Sequence, residues 1–231
     1  MNDGFRFRLA LWALSFTTMI AAFYLVFLWV PTEATMGVVQ RIFYFHVPLA
    51  WVALLAFLVV FVCSILYLWK RDHRWDVKAW ASAEVGVVFT TLFLITGSIW
   101  AKPIWGVWWT WDPRLTAALV LWLVYIAYHL VRAYTADRDR GARFAAVVGI
   151  VGFLDVPVVA LAITLWRTQH PSPVIFEGGL EPAMMATLMT GLVAFTALYA
   201  LLTVLRSDMR YAEAETERMR VLATLPAQRG E

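Results

Sequence analysis

Several motifs that are common in soluble enzymes are missing from this 231-residue sequence. It has one cysteine, Cys63, so no disulfide can form within the chain, and it has no Cys-x-x-Cys motif for covalent cofactor attachment. It also lacks the nucleotide-binding Gly-x-x-x-x-Gly-Lys-Ser/Thr loop and the motifs His-Glu-x-x-His, Gly-x-Ser-x-Gly and Gly-x-Gly-x-x-Gly. These absences exclude nucleotide hydrolysis by that loop and leave no known catalytic motif to assign.

Charged residues are scarce as well. They make up 15% of the chain, whereas 62% of its residues are hydrophobic and the mean hydropathy is +0.70. Globular domains are typically ~45–50% apolar, so a soluble fold of this length could not cover so much apolar surface. The net charge of +3 gives no indication of a nucleic-acid partner. The composition therefore predicts a one-domain integral membrane protein surrounded by a lipid bilayer.

Six apolar stretches approach the ~20 helical residues that cross a bilayer. Because lipid offers no hydrogen-bond partners, each stretch is expected to be helical, which makes the fold all-α. The first is interpreted as a retained helix and not as a signal peptide. We expect residues 1–205 to form the membrane domain and residues 206–231 a charged cytoplasmic tail. The predicted spans are 9–30, 47–69, 79–100, 116–131, 144–166 and 183–205.

The distribution of lysine and arginine predicts the orientation of these spans. Fifteen lie at the N-terminus, in the loops after spans two and four, and in the tail. By the positive-inside rule both termini are cytoplasmic, and the outward segments are 31–46, 101–115 and 167–182. Trp29, Trp100 and Trp166 end three spans on the outer side, as an interfacial aromatic belt would. The four outward basic residues are Arg41, Lys102, Arg114 and Arg167.

The outward segment between spans three and four is unusually rich in tryptophan. Trp105, Trp108 and Trp109 have the i, i+3, i+4 spacing that would stack their indoles on one face of a short helix. Asp112 and Pro113 are expected to be the N-cap and first residue of helix four. A belt normally uses one or two indoles per helix end, so we favour a binding platform for a large planar ligand, namely haem. Five tryptophans fall within twelve residues: 100, 105, 108, 109 and 111.

Two of the four histidines are predicted to lie on the same side as this segment. His46 comes just before span two and His170 lies in the third outward segment. Imidazole is a common ligand of haem iron, and iron accepts one on each face, so we expect these two to be axial ligands and not surface or structural histidines. His73 is expected to be solvated, and His129 to be a packing residue. Without an attachment motif, the haem would be non-covalent haem b.

The outward basic residues could bind the two carboxylates of haem or, alternatively, lipid phosphates. We favour the first role for Arg41 and Arg114 and leave both open for Lys102 and Arg167. Inside the bilayer, Asp155 is expected near the middle of helix five. It is either a functional acid or a neutral one that bonds to backbone freed by Pro157. No catalytic residue is assigned.

Three stretches resemble a known family. Residues 105–116, Trp-Gly-Val-Trp-Trp-Thr-Trp-Asp-Pro-Arg-Leu-Thr, resemble the WWD signature of the haem-handling proteins of cytochrome c maturation. Residues 41–51, Arg-Ile-Phe-Tyr-Phe-His-Val-Pro-Leu-Ala-Trp, resemble the surroundings of that family's first periplasmic histidine, and residues 165–170, Leu-Trp-Arg-Thr-Gln-His, those of the second. The length, the six spans and the single WWD segment are similar to the CcmC family, not to the longer WWD proteins.

This resemblance implies a protein of the bacterial inner membrane that binds haem at its periplasmic face. His46 and His170 would be the axial ligands, and haem would pass to the chaperone CcmE with help from CcmD and the CcmAB transporter. The other implied contacts come from Trp105, Trp108, Trp109, Trp111, Asp112, Arg114 and Arg41.

Two other functions stay open from the sequence: a haem exporter or permease that moves its cargo through the bundle, and a membrane enzyme acting, for example, on a quinone. A conduit should carry polar residues at matching depth in several helices, but we find mainly Asp155, with Glu84 and His129 toward the inner side. An enzyme would need a general acid or base beside a nucleophile, and the outward segments offer only histidines.

Overall fold

The computed structural model describes residues 3–166 and 179–224. Over these residues the chain forms α-helices and no β-strand. A π-helical segment, Leu25–Trp29, continues α1, and a 3₁₀ helix, Val38–Ile42, leads directly into α2. The α-helices are α1 Asp3–Tyr24, α2 Phe43–Lys70, α3 His73–Trp105, α4 Pro113–Tyr134, α5 Arg138–Gly152, α6 Asp155–Leu165 and α7 Pro182–Thr224.

The prediction of six membrane spans is confirmed. Span four, predicted at 116–131, is longer in the structure because the Asp112 carboxylate caps α4 and Pro113 begins it. Its 22 residues reach ~33 Å, enough for a hydrocarbon core of ~30 Å. Helical segments long and apolar enough to cross a membrane are Gly4–Trp29, Val38–Lys70, His73–Trp105, Pro113–Tyr134, Arg138–Ala162 and Pro182–Ala223.

The expected start of helix two is wrong by about one turn. α2 begins at Phe43, so His46 lies inside the helix and not in the segment before it. Phe43 and Tyr44 are buried in a cluster with Met184 and Leu188 of α7, and this packing extends the helix toward the N-terminus. His46 is therefore carried by a regular helical backbone.

Helix five is interrupted, which corrects the expected position of Asp155. α5 ends at Gly152 and α6 begins at Asp155, so the carboxylate stands at a helix start and not in a helix middle. Pro157 is the third residue of α6, a position whose backbone N–H would have no partner within the helix. A carboxylate at a helix N-terminus is also favoured by the helix dipole.

The last helix continues without a break through the predicted domain boundary at residue 205. α7 runs for 43 residues from Pro182 to Thr224, which corresponds to ~65 Å. This is about twice the thickness of a hydrocarbon core. The charged segment up to Thr224 is therefore a helical extension of the last span.

The helices α2 and α3 form the centre of the bundle. Gly86 of α3 faces α2 so closely that a Cβ there would lie 2.9 Å from side-chain atoms of Ala56 and Phe57. Such small residues let helix backbones approach in membranes, where close packing drives helix association. α1 packs mainly on α7, and α4 packs on both α5 and α6.

Contacts between helix termini show which of them share the same end of the bundle. Arg8 of α1 pairs with Asp208 of α7 at 2.9 Å, and His73 at the start of α3 lies 3.6 Å from Asp139 at the start of α5. We call this the inner end, and the opposite one, where α3 joins α4, the outer end. The loops that sequence analysis assigned to one side of the membrane are thus close together in the structure.

Candidate functional site

An open pocket lies at the outer end, between the start of α2, the end of α3 and the start of α4. It brings together four of the predicted site residues, namely His46, Trp105, Trp109 and Arg114. The remaining lining residues are Phe93, Leu94, Gly97, Ser98, Trp100, Leu115 and Ala118. The wall is thus mainly apolar, with one imidazole and one guanidinium.

Sequence analysis missed most of the α3 side of this pocket. Phe93, Gly97 and Trp100 follow one another at intervals of four and three residues, which puts them on one face of the helix. Trp100 was expected to belong to an interfacial belt, yet its ring lies 5.7 Å from that of His46. The helical spacing of these three residues could have indicated that they share a face, but spacing alone does not show which other helix that face contacts.

His46 is buried, with 6% of its surface exposed. Its Nδ1 lies 3.1 Å from the hydroxyl oxygen of Thr96 on α3, and its ring lies 4.8 Å from that of Phe93. The imidazole is therefore held between α2 and α3 at the pocket wall.

The short helix predicted for the tryptophan segment is wrong. Gly106, with φ +76°, ends α3 in the left-handed conformation that favours glycine, and its N–H donates to the Lys102 carbonyl. Residues 106–112 then run without helix to the start of α4.

This non-helical path separates the tryptophans. Trp105 and Trp109 line the pocket, whereas Trp108 and Trp111 are 58% and 75% exposed. The rings of Trp109 and Trp111 meet edge to face at 5.8 Å. The segment therefore presents indoles both inside the pocket and beyond it.

Two charged residues of the segment shape its backbone. Lys102 Nζ donates to the Gly106 carbonyl at 2.8 Å. Asp112 accepts from the Thr110 hydroxyl at 2.8 Å and, through its other oxygen, from the backbone N–H groups of Arg114 and Leu115. Both oxygens of Asp112 are thus engaged in the loop and the helix cap, and a direct ligand contact stays a prediction.

Arg114 brings a positive charge to the pocket, where the Asp112 carboxylate acts on it electrostatically without forming an ion pair. Its Nη1 is buried without a hydrogen-bond partner in the described part of the chain, and no described carboxylate lies within 4.0 Å of its guanidinium. The buried indole N–H groups of Trp100 and Trp109 lack partners among the same residues. Buried donors are normally paired, and each unpaired one costs roughly 1–3 kcal/mol. The three donors would suit a ligand with acceptor oxygens.

The remaining predicted residues lie elsewhere. Arg41, in the 3₁₀ helix, does not line the pocket and donates from Nη1 to the Phe27 carbonyl at 3.2 Å. His170 and Arg167 fall outside the described residues, so axial pairing of His170 with His46 stays a prediction. Leu180, which precedes α7, packs in the same cluster as Trp100.

Comparison with known proteins identifies the family. Residues 5–222 match the family described as Heme exporter protein C, CcmC. The chain belongs to the CcmC family. This confirms the family that the tryptophan segment predicted.

Several relatives carry the same description. The Heme exporter protein C of Bradyrhizobium diazoefficiens is 36% identical over 175 residues, which cover 74% of this chain and 66% of that protein. The Escherichia coli K12 protein is 32% identical over 176 residues, covering 76% of this chain and 72% of its own length. The alignments thus span about two thirds of these relatives.

Proposed function

We propose that this protein binds haem non-covalently at its outer end and delivers it to the haem chaperone CcmE for cytochrome c maturation. The observation that carries the proposal is the pocket, in which a buried imidazole, apolar rings and an unpaired guanidinium converge. Haem presents the three complementary features: an iron that binds imidazole, flat apolar faces and two carboxylates. Family membership supports the same cargo.

Each pocket residue then has a distinct role. His46 supplies one axial ligand, and Trp105 and Trp109 pack against the macrocycle. Arg114 binds a haem carboxylate, which satisfies a charge that the described residues leave unpaired. His170 supplies the ligand on the opposite iron face.

The residues around the pocket mouth have supporting roles. The exposed rings of Trp108 and Trp111 cover the haem until transfer. Arg41, outside the pocket lining, provides a second cation at the outer end, and Asp112 holds the loop in shape. We assign no turnover chemistry to the protein.

The proposed setting is the bacterial inner membrane, with the outer end in the periplasm. CcmE would approach the exposed tryptophans there, and CcmD and the CcmAB transporter subunits would assemble with the bundle. The basic loops gathered at the inner end support this orientation through the positive-inside rule.

The alternative function is a permease that moves haem through the bundle. The Heme exporter description of the relatives favours it, but the arrangement of charge does not. Arg132, for example, is paired with Asp76 near the inner end, and no series of described charged residues leads from there to the pocket. We therefore favour binding and presentation over passage.

The decisive experiment is an absorption spectrum of the protein purified from haem-supplied cells. We expect a six-coordinate haem spectrum, altered in His46→Ala and His170→Ala and unchanged in His73→Ala, which removes an exposed inner-end histidine. A colourless wild type would refute haem binding. An unchanged bis-histidine spectrum in the double variant would refute the axial assignment. Haem movement across vesicles that contain this protein alone would favour the permease.

Topology needs its own experiment, because both axial histidines must share one side. Cys63 is replaced by Ser, and single cysteines are placed at Gly37, Val107 or Ser172 in haem-free protein. A membrane-impermeant thiol reagent applied from the periplasmic side should label all three and miss cysteines placed at His73 or Asp137. Labelling at Ser172 from the cytoplasmic side alone would contradict the proposed geometry.

A further inference from the structure

The hydroxyl group of Thr96 on α3 lies within hydrogen-bond distance of the imidazole of His46. The oxygen of Thr96 lies 3.1 Å from His46 Nδ1, 2.8 Å from the Leu92 carbonyl oxygen and 3.1 Å from the Phe93 carbonyl oxygen. A threonine hydroxyl has one hydrogen to donate and two lone pairs to accept with, whereas a carbonyl can only accept. The shorter contact, to Leu92, is the one that takes the hydrogen.

We propose that Thr96 is a positioning residue that accepts the Nδ1–H of His46 and thereby selects its tautomer. In neutral imidazole one nitrogen carries hydrogen and the other a lone pair, so a protonated Nδ1 leaves the lone pair on Nε2. Iron binds the nitrogen that has the lone pair. The role of this tautomer rests on the proposed haem function. The inference assigns Nε2 as the atom that binds iron, and this tautomer is already selected in the haem-free protein.

The same face of α3 also fixes the orientation of the ring. At Gly97 a Cβ would lie 2.9 Å from His46 Cε1, so the imidazole occupies space that any larger residue would take. Phe93 and Trp100 also lie against the ring, at centroid distances of 4.8 and 5.7 Å. Hydrogen bonding to the far nitrogen of a ligating histidine also raises its basicity, and loss of such a partner typically costs ~10–100-fold in affinity.

The tautomer can be tested without haem by nitrogen NMR of ¹⁵N-histidine-labelled apo protein. The His46 signals are those missing from His46→Gln. Wild type should show a protonated Nδ1 and an unprotonated Nε2, and Thr96→Ser, which keeps the hydroxyl, should match it. Thr96→Val should show a mixture of tautomers. A protonated Nε2 in the neutral ring of wild type would overturn the proposal.

The consequence for haem is tested by titration and by reduction potential. Thr96→Val should bind haem ~10–100-fold more weakly and with a shifted potential, while Thr96→Ser should resemble wild type. The matched control is Thr90→Val, because Thr90 is a buried threonine of the same helix whose hydroxyl, among the residues the structure describes, bonds to the Gly86 carbonyl and to no side chain. Equal affinity and potential in Thr96→Val and wild type would refute the positioning role while haem binding stands.

Gly97→Ala gives a second, independent variant. The added methyl group should displace the His46 ring, weaken haem binding and move the His46 nitrogen signals, with helix content unchanged by circular dichroism. If wild type bound no haem, the proposed function would fail, and the apo spectra would still decide the tautomer. Unchanged His46 signals in Gly97→Ala would contradict the close contact on which the orientation argument depends.

Discussion

Both ends of the bundle contain partly buried arginines, but among the described residues only those of the inner end form ion pairs with acids. Arg132 forms a two-point ion pair with Asp76, and their side chains are 7% and 9% exposed. At the outer end Arg114 has no described carboxylate within 4.0 Å. Burial without a partner is costly, so this difference is the one we expect if the inner-end arginines stabilise the fold and Arg114 binds a ligand, as proposed.

The inner end is a balanced network that joins three helices. The guanidinium of Arg132 lies 4.8 Å from the ring centroid of Trp80 on α3, and that of Arg210 lies 3.5 Å from it. Both distances are within the range of a cation–π interaction. Arg206 and Arg210 each bond to Glu84 and Glu213. Three arginines therefore face three carboxylates, so the charges within this network balance.

The largest effect should come from breaking the inner network. Asp76→Ala leaves Arg132 buried without its partner, and we expect a loss of ~3–5 kcal/mol in the free energy of unfolding, measured in detergent. The haem spectrum of the folded fraction should not change. Asp72→Asn, at an exposed cap, should have little effect. A loss below ~1 kcal/mol for Asp76→Ala would mean that the inner end does not stabilise the fold as described.

Removing Arg114 should lower haem affinity without lowering stability, which is the reverse of the effect expected for Asp76→Ala. Arg114→Gln should weaken haem binding by ~1.5–3 kcal/mol, the usual worth of a charged hydrogen bond, while the apo protein unfolds at the same or a higher temperature. Arg41→Gln is the comparison, since Arg41 lies outside the pocket lining and should matter less. Lower apo stability without lower affinity in Arg114→Gln would make the outer arginine structural.

The tryptophans should divide by exposure. Trp109→Phe should cost ~0.5–1.5 kcal/mol of haem affinity through lost aromatic contact, and Trp111→Phe less, because its ring is 75% exposed. Transfer to CcmE should instead be more sensitive to Trp108 and Trp111. Replacing Trp108, Trp109 and Trp111 together with Ala should abolish haem retention. Full retention by that folded variant would reduce the segment to a membrane belt.

The smallest effect should be acid weakening of the inner-end turns. The backbone N–H of Arg74 lowers the pKa of the Asp72 carboxyl, and that of Arg140 does the same for Asp137. Since the folded-state pKa lies below the unfolded value, the caps stabilise fully above the unfolded pKa of ~3.9 and lose this as pH falls through the folded-state pKa. The protection factors for amide hydrogen exchange at these helix starts should therefore fall in acid. Asp72→Asn caps without titrating and should remove the pH dependence at α3.

Local signals in the sequence were sufficient for much of this fold. Span number follows from apolar length, because the bilayer sets how many helical residues must be apolar. The start of α4 follows from Asp112 and Pro113. The Asp112 carboxylate accepts from free backbone N–H groups of the first turn, and Pro113 has no N–H that would need a partner. The family, too, was identifiable from three short stretches, 41–51, 105–116 and 165–170, together with the length and the number of spans.

Sequence analysis failed wherever the outcome depends on contacts between helices. The start of α2 at Phe43 depends on packing against α7. The tryptophans around Gly106 have helical spacing, yet the backbone after Gly106 is not helical. Likewise, neither Gly97 nor Thr96 had any visible link to His46.

By itself, then, the sequence determined the membrane class, the number of spans, the caps and the candidate ligand type, since these depend on length, composition and neighbouring residues. Only the tertiary structure decided which arginines are paired, which tryptophans enter the pocket and what holds the histidine. Those features arise when faces of α2, α3 and α4 meet, and residues far apart in the chain become neighbours only through that packing.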